Sequence, residues 1–348
     1  MPRKTAVLKD PLFLEHDPGF DHIESPERLI AVYRALARPE EVKAFFFAEC
    51  EPADYDDLAL NHTPEHIRRV AETAGKQFDV LDPDTYTSPR SYDAAVLAAG
   101  AVITGLKLVA EGKADNAVAL VRPPGHHAEA DQSRGFCLFN NIAIGARYGL
   151  KHLGMKRILI LDWDLHHGNG TQHSFYDTDQ VLYCSTHQYP HYPGTGSLGE
   201  TGVGKGEGFT LNVPLPGGQG DQDFARIMNE LIAPVARQYR PDCIMVSAGY
   251  DSHISDPLGG MAVTTAGFAY MTKIMVDLAA ELCDGRLVLA LEGGYYLQGL
   301  AEGVLASLHE LSGEGGMQPE AFAAMAVAKR PLPSLDAAIA VAKKYWTF

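Results

Sequence analysis

The chain has 348 residues, a formal net charge of −15 and 46% hydrophobic residues. This apolar content is sufficient for a large core, whereas the negative charge argues against a cationic surface for nucleic acid or anionic membranes. The five cysteines form no Cys-x-x-Cys pair and no segment has the length of a signal peptide or a membrane span, so we expect a cytoplasmic protein without a disulfide framework.

Short β-rich runs alternate with longer helical patterns along the chain, which predicts an α/β fold with a parallel sheet flanked by helices. Several strand candidates are continuous apolar runs, as expected for strands covered on both faces. The predicted strands are Ala117–Val121, Arg157–Asp162, Val181–Ser185, Phe209–Val213, Cys243–Ser247 and Arg286–Leu291. The predicted helices open at Ser25-Pro26 and Thr63-Pro64, each with a hydroxyl at the N-cap, or span Ser91–Glu111, Asn140–Leu153, Gln222–Arg240, Thr265–Cys283 and Gly299–Leu311.

No repeat, low-complexity segment or Ser/Gly-rich linker interrupts this alternation. We therefore predict one domain over residues 1–348, in which residues 313–348 form a helical tail. In sheets of this kind, functional groups gather at the carboxyl ends of the strands.

The most informative run covers residues 160–170 and reads Ile-Leu-Asp-Trp-Asp-Leu-His-His-Gly-Asn-Gly. Asp162, Asp164 and His166 alternate, so on a continuing strand their side chains would point to the same side. Carboxylate and imidazole groups presented together are typical ligands of a divalent metal. The residues alone therefore predict a metal site with these three ligands.

Three more polar clusters follow predicted strands. The tandem His126-His127 comes after a Pro-Pro-Gly turn, and a neutral imidazole can accept and return a proton near pH 7. Asp251 follows the strand that begins at Cys243, where it could act as a further metal ligand. Tyr295 follows a Gly-Gly pair, where its hydroxyl could donate to a developing oxyanion. A site with three protein ligands keeps an open position, as catalytic sites do.

The runs Arg-Pro-Pro-Gly-His-His-Ala, Asp-Trp-Asp-Leu-His-His-Gly-Asn-Gly, Ser-Ala-Gly-Tyr-Asp and Leu-Glu-Gly-Gly-Tyr together resemble the zinc-dependent histone deacetylase superfamily. The chain looks closest to the class II-like branch that includes bacterial histone-deacetylase-like amidohydrolases, and the resemblance covers about residues 16–311. It implies the arginase/deacetylase fold, a single domain with an eight-stranded parallel sheet flanked by helices on both faces. It also implies that acetyl or related acyl groups are removed from lysine-like N-acyl amines by attack of metal-activated water.

The resemblance also assigns roles to residues. It implies that the Zn²⁺ ligands are Asp164, His166 and Asp251, which moves Asp162 away from the zinc. His127 resembles the general base, and His126 its electrostatic partner. Asp162 is expected to orient His126, and Asn169 to orient His127. Tyr295 is expected to polarise the scissile carbonyl. An acidic residue stands at the position of Asn169 in class I relatives, so His127 is expected to be less basic here.

The resemblance further implies a substrate tunnel and bound K⁺. The expected tunnel residues are Gly135, Phe136, Tyr192 and, at the rim, Leu258. Asp82 or Asp84 is expected to meet the substrate backbone, and Arg28 matches an arginine beside an internal product channel, with a helix-surface salt bridge as the alternative. One K⁺ site would use Asp162, Asp164, His166, Ser185 and Thr186. A second would use the backbone carbonyls of Phe175, Thr178, Val181 and Phe209.

Three alternatives remain open from the sequence. The nearest is a deacetylase of acetylpolyamines or other small amides at the same site, although polyamine-selective relatives can carry Glu where this chain has Leu258. The others are a binuclear manganese ureohydrolase on the related fold and a catalytically inactive acyl-lysine binding protein. Expected partners are an acyl-lysine peptide or protein, or an acetylated small amine, with no nucleic acid and no membrane. The sequence leaves open whether the chain forms a homo-oligomer.

Overall fold

The computed structural model describes residues 2–19, 21–38, 45–314, 316–327 and 330–348. Its centre is an eight-stranded sheet in the order β2-β1-β5-β10-β9-β6-β7-β8, and every strand pairing in it is parallel. Two further strands, β3 and β4, form an antiparallel hairpin. The strands are β1 Thr5–Leu8, β2 Phe46–Ala48, β3 Asp79–Asp82, β4 Thr85–Thr87, β5 Asn116–Ala119, β6 Ile158–Asp162, β7 Val181–Gln188, β8 Thr210–Leu215, β9 Cys243–Ala248 and β10 Leu287–Leu291.

Helices connect and cover these strands, so the predicted α/β fold with an eight-stranded parallel sheet is confirmed. The predicted helix over residues 222–240 is instead two helices joined by the π-helical segment Met228–Ile232. The helices are α1 Glu27–Leu36, α2 Tyr55–Leu58, α3 Pro64–Ala71, α4 Ser91–Ala110, α5 Asn141–His152, α6 Asn169–Ser174, α7 Asp221–Ile227, α8 Ala233–Tyr239, α9 Thr265–Leu282, α10 Leu297–Ser312, α11 Pro319–Ala326 and α12 Pro333–Ala342.

The central strands are buried along their whole length. Every residue of β5, β6, β9 and β10 is buried, which is the expected consequence of covering both faces of a parallel sheet with helices. All five cysteines are free and buried.

Local capping interactions explain where several helices begin. The hydroxyl of Thr63 accepts the N–H of His66 at 3.2 Å, as the sequence predicts for α3. The side-chain oxygen of Asn140 accepts the N–H of Ala143 at 3.1 Å at the start of α5. The prediction is wrong for α1, because its N-cap position is occupied by Pro26 and the hydroxyl of Ser25 makes no capping hydrogen bond.

Helix α4 departs from the expectation that no segment has the character of a membrane span. Among the described helices it alone is long and apolar enough, by length and composition, to cross a membrane. However, 72% of its most apolar window is buried inside the protein, where the helix packs against α5 and β5. Such burial is that of a core helix.

The C-terminal segment packs against the edge of the sheet that ends in β8. Leu332 and Leu335 are buried, and the indole N–H of Trp346 donates to the carbonyl of Gly208 at 2.9 Å. The Trp346 ring also contacts Phe209 with ring centroids 5.5 Å apart. Helix α12 and the residues that follow it are therefore held to the domain by apolar contacts and a hydrogen bond.

Candidate active site

Sheet order explains how four distant sequence motifs meet. The strands that carry them, β5, β10, β9 and β6, are consecutive neighbours in the middle of the sheet. Because all four are parallel, their carboxyl ends lie at one edge, and the residues that follow them are brought together. The site is thus assembled from the segments after Ala119, Leu291, Ala248 and Asp162.

A cluster of metal-ligand groups lies at this edge. The ligand atoms of Asp164, His166 and Asp251 lie within 4.8 Å of one another, and all three residues are buried. The Nδ1 atom of His166 is 3.1 Å from a carboxylate oxygen of each aspartate. Two carboxylates and one imidazole match the donor set of a three-ligand catalytic zinc site, so these residues fit a divalent cation.

Asp162 does not belong to this cluster, so the prediction from simple strand alternation is wrong. The strand β6 ends at Asp162, and the chain then turns. One oxygen of Asp162 accepts the N–H of Asp164 at 3.1 Å. The other faces His126 Nδ1 at 3.0 Å and accepts the Tyr183 hydroxyl at 3.1 Å. The third member of the cluster is Asp251, as the family resemblance implies.

Backbone groups hold the two aspartates of the cluster in place. The N–H of Gly293 donates to Asp164 at 2.8 Å, and the N–H of Leu165 donates to Asp251 at 2.8 Å. Position 293 requires glycine, because a Cβ there would collide with both carboxylates. The first glycine of the pair after β10 is therefore explained by close approach of the backbone to the cluster.

The tandem histidines lie next to the cluster, with ring centroids 4.0 Å apart. The Nδ1 atom of His126 pairs with Asp162 at 3.0 Å, and that of His127 with the side-chain oxygen of Asn169 at 2.8 Å. Both orienting contacts that the resemblance implies are therefore present. An amide oxygen only accepts, so the hydrogen of His127 lies on Nδ1 and the Nε2 lone pair is free.

The surroundings of the two imidazoles shift their pKa values in opposite directions. Burial alone lowers the pKa of His126, but the carboxylates of Asp162, Asp164 and Glu292 outweigh it and hold the pKa well above its usual value. Burial, together with the neighbouring His126 and His166, holds the pKa of His127 well below its usual value. A cationic and a neutral imidazole side by side suit an electrostatic and a general-base role respectively.

A pocket of about 240 Å³ leads from the surface to the cluster. All four residues predicted to form a substrate tunnel line it. The Tyr192 ring stands edge-on to His127 with centroids 5.0 Å apart, and Phe136 stands edge-on to Tyr295 at 6.1 Å. The lining residues are Asp84, Pro124, His126, His127, Gly135, Phe136, His166, His191, Tyr192, Leu258, Gly293 and Tyr295.

The Gly135-Phe136 segment is held in an uncommon backbone conformation. Both residues have positive φ, 56° and 69°, and a Cβ at position 135 would collide with the His127 ring. The Phe136 N–H donates to the Thr85 hydroxyl at 3.1 Å, which ties the segment to β4. Positive φ at a phenylalanine is costly and is typical of functional sites whose surroundings fix the backbone.

The structure distinguishes the two rim candidates and the two interpretations of Arg28. Asp84 lines the pocket and accepts the Gly135 N–H at 3.0 Å, whereas Asp82 accepts a hydrogen bond from Gln132 at 3.1 Å. Arg28 is completely buried, pairs with Glu24 at 2.9 Å and lies 4.9 Å from the Tyr295 ring, so it is not a helix-surface salt bridge.

Three residues that contact the site were not identified from the sequence. One oxygen of Asp256 accepts the N–H of Tyr295 at 2.7 Å, which anchors the loop that follows β10 and carries Tyr295, here called the tyrosine loop. Glu292 accepts the N–H of Gly125 at 2.7 Å and that of His126 at 3.1 Å. Glu129 contacts Asn169. Each lies beside a recognised motif, but only the long-range contacts reveal its role.

Of the residues implied for K⁺, His166 lines the pocket and the others do not. Thr186 carries a buried hydroxyl without a hydrogen-bond partner, and the Ser185 hydroxyl contacts His187 Nδ1 at 2.9 Å. For the second set, the carbonyl of Phe209 accepts the N–H of Tyr183 at 3.0 Å.

Comparison with known proteins identifies the class of the chain. Residues 22–311 match the histone deacetylase domain. A probable deacetylase from Archaeoglobus fulgidus is 42% identical over 85% of this chain and 82% of its own length. Histone deacetylase 5 from Arabidopsis thaliana is 40% identical over 92% of this chain, which spans only 51% of that relative. The crystal structure of the HDA15 HD domain is 35% identical, with a TM-score of 0.90 over 99% of this chain and 95% of that one.

These matches and the geometry of the site define a deacetylase of the amidohydrolase type. The chain belongs to the histone deacetylase family. The alternative of an acetylpolyamine deacetylase is not favoured by these relatives.

Proposed function

We propose that the protein removes acetyl groups from lysine side chains of peptides or proteins, with one Zn²⁺ held by Asp164, His166 and Asp251. The observation that carries this proposal is the pocket lined by His126, His127 and His166, the last of which belongs to the buried cluster of the three ligand groups. When bound, Zn²⁺ would supply Lewis acidity, which polarises a carbonyl and makes a water molecule a stronger acid.

The chain's own residues handle the protons. Because His127 is neutral and its Nε2 lone pair is free, this atom takes the proton from the attacking water and later gives it to the leaving amine. The neighbouring His126 stays cationic beside Asp162 and stabilises negative charge on the reacting groups. Burial raises the pKa of the Tyr295 phenol well above its usual value, so the hydroxyl stays protonated and donates to the substrate carbonyl oxygen.

The pocket walls suit an alkyl stem. Phe136 and Tyr192 supply aromatic surface, and Leu258 at the rim is apolar. Burial of the four-carbon lysine chain against such walls is favourable, whereas a second amine on the substrate would find no carboxylate at position 258.

We also propose that K⁺ binds near Asp162, Ser185 and Thr186, which the buried unpartnered hydroxyl of Thr186 supports. Cytoplasmic location and the second K⁺ site are proposals of the same kind.

Steady-state rates on a panel of substrates test this proposal. The panel contains acetyl-, longer-acyl- and trifluoroacetyl-lysine peptides together with N-acetylpolyamines, assayed in KCl and in choline chloride of equal ionic strength. We expect the highest kcat/KM on an acyl-lysine peptide, inhibition by EDTA and by a hydroxamate, and higher activity in KCl. Faster turnover of acetylpolyamines would contradict the lysine assignment, and equal activity in both salts would contradict the K⁺ proposal.

A further inference from the structure

The side chain that orients His127 is itself held by a carboxylate. The amide nitrogen of Asn169 donates to Glu129 Oε1 at 2.5 Å and to the His127 carbonyl at 3.2 Å, while its oxygen faces His127 Nδ1 at 2.8 Å. The Glu129 carboxylate also accepts from His173 Nδ1 at 2.9 Å. The four side chains form a row from the pocket to the surface.

The chemistry of the groups fixes the direction of each hydrogen bond in this row. An ionised carboxylate only accepts, so Glu129 compels the Asn169 amide to present its NH₂ group outward and its oxygen to His127. With the oxygen facing the ring, the His127 hydrogen is confined to Nδ1. If the amide turned over, its NH₂ would face His127, and Nε2 would carry the hydrogen instead of the free lone pair.

The charge and the burial of Glu129 also allow it to stabilise the protonated form of His127. Its side chain is only 16% exposed, whereas that of His173 is 49% exposed. Burial alone raises the pKa of Glu129, but hydrogen bonds from His173 and Asn169 outweigh it and lower the pKa. The carboxylate therefore stays ionised one amide away from His127, where it stabilises the imidazolium that forms when His127 takes up a proton.

We propose that Glu129 is a positioning residue of the deacetylase, which locks the Asn169 amide and thereby the tautomer of His127, and which places a negative charge behind the base. The Asn169 amide carries no charge of its own, and Glu129 supplies a negative charge directly behind it. Only the kinetic test of this proposal rests on the proposed function.

Substitutions at two positions separate the effects of Glu129. Glu129→Gln keeps an oxygen that can accept from Asn169 but removes the charge, whereas Glu129→Ala removes both. We expect Glu129→Ala to lower kcat about 10- to 100-fold, the range typical for the loss of an outer partner at a metal site, with KM and hydroxamate affinity near wild type. Glu129→Gln should lose less. Asn169→Asp, added to Glu129→Ala, should restore at least tenfold in kcat because the charge returns directly behind His127.

Asp131→Asn is the matched control, since it removes an exposed carboxylate from the same loop and should leave kcat unchanged. A kcat for Glu129→Ala within twofold of wild type would overturn the proposal. So would an Asn169→Asp substitution that lowers kcat equally with and without Glu129.

The tautomer of His127 provides a test that does not depend on turnover. In ¹⁵N-labelled protein the chemical shifts of the ring nitrogens report which one carries the hydrogen. We expect Nδ1–H in wild type and a mixture of tautomers in Glu129→Ala. Identical tautomers in both proteins would overturn the inference about Glu129, whereas a wild type that hydrolyses no acyl amide would contradict only the proposed function.

Discussion

The Tyr295 hydroxyl is the residue-scale feature whose contribution can be isolated most cleanly. Its backbone is anchored by Asp256, its ring lies against Arg28, and it lines the pocket. Tyr295→Phe keeps the ring and removes only the donor, so we expect zinc content to be unchanged and kcat to fall about 10²–10³-fold, as for the loss of one oxyanion-hole donor. Metal analysis and steady-state kinetics on an acetyl-lysine peptide measure both quantities.

The neighbouring tyrosine is a matched control for this substitution. The hydroxyl of Tyr296 contacts Gln298 at 3.2 Å and is not part of the pocket wall. Tyr296→Phe should therefore retain wild-type kcat. A Tyr295→Phe protein with kcat close to wild type would remove this hydroxyl from the mechanism.

Residues that act as metal ligands or catalytic groups could be predicted because Asp, His and Tyr side chains occur in short motifs directly after predicted strands. Supporting residues could not. Glu129 directly follows His-His-Ala, but its partner Asn169 is 40 positions away, so the contact depends on how β5 and β6 are arranged in the sheet. Asp256 looks like an ordinary turn aspartate until the fold places it under the tyrosine loop.

At the scale of elements, predictability followed strand length and burial. The central strands β6, β9 and β10 were found because runs of four or five consecutive apolar residues are typical of a doubly covered strand. The strand β1 was missed because it contains only three consecutive apolar residues, Ala6–Leu8, and β2 was missed because it has only three residues and lies exposed at the sheet edge. The order of the strands, which brings the four motifs together, is a tertiary property that periodicity does not contain.

His62, which lies just before α3, should make the free energy of unfolding depend on pH. His62 Nδ1 contacts the Glu129 carbonyl at 2.9 Å, and His62 Nε2 accepts the Asn140 N–H at 2.9 Å, so the neutral ring satisfies both groups. Burial, reinforced by His66, lowers the pKa of His62 to about 3. Its contribution to stability is therefore complete above the unfolded-state pKa of about 6.5 and is lost progressively as the pH falls toward 3.

Replacement of His62 should flatten this dependence. Between pH 6.5 and 5.5 the unfolded-state imidazole goes from about half to about nine-tenths protonated while the folded-state ring stays neutral, which costs about 1 kcal/mol of unfolding free energy. We expect His62→Gln to be less stable at pH 7.5 but to lose less stability over that interval than wild type, as measured by urea unfolding. His152→Gln, at an exposed position of α5, is the control. If the unfolding free energy of the His62 variant changed with pH as steeply as that of wild type, His62 would not bind more protons in the unfolded state than in the folded state.

For the whole molecule, the metal cluster links cofactor binding to folding stability. Asp164 and Asp251 bring two carboxylates together in the interior, and burial and the neighbouring Asp164 raise the pKa of Asp251. A raised folded-state pKa means that the ionised form is destabilising above neutral pH and that the fold gains stability as Asp251 binds a proton on acidification. A divalent cation relieves the same repulsion without a proton.

Removal of the metal should therefore lower the melting temperature, and more at high pH than at low pH. A cation present at 100 times its Kd stabilises the fold by about 2.7 kcal/mol, which for a chain of this length corresponds to roughly 4 °C. We expect dialysis against a chelator at pH 8 to lower Tm by at least this amount and readdition of Zn²⁺ to restore it. Near pH 6 the difference should shrink, because protons compete with the metal for Asp251. Asp164→Asn should show no chelator effect, and a wild-type Tm that does not respond to chelator at pH 8 would mean that the cluster does not hold a metal in the folded protein.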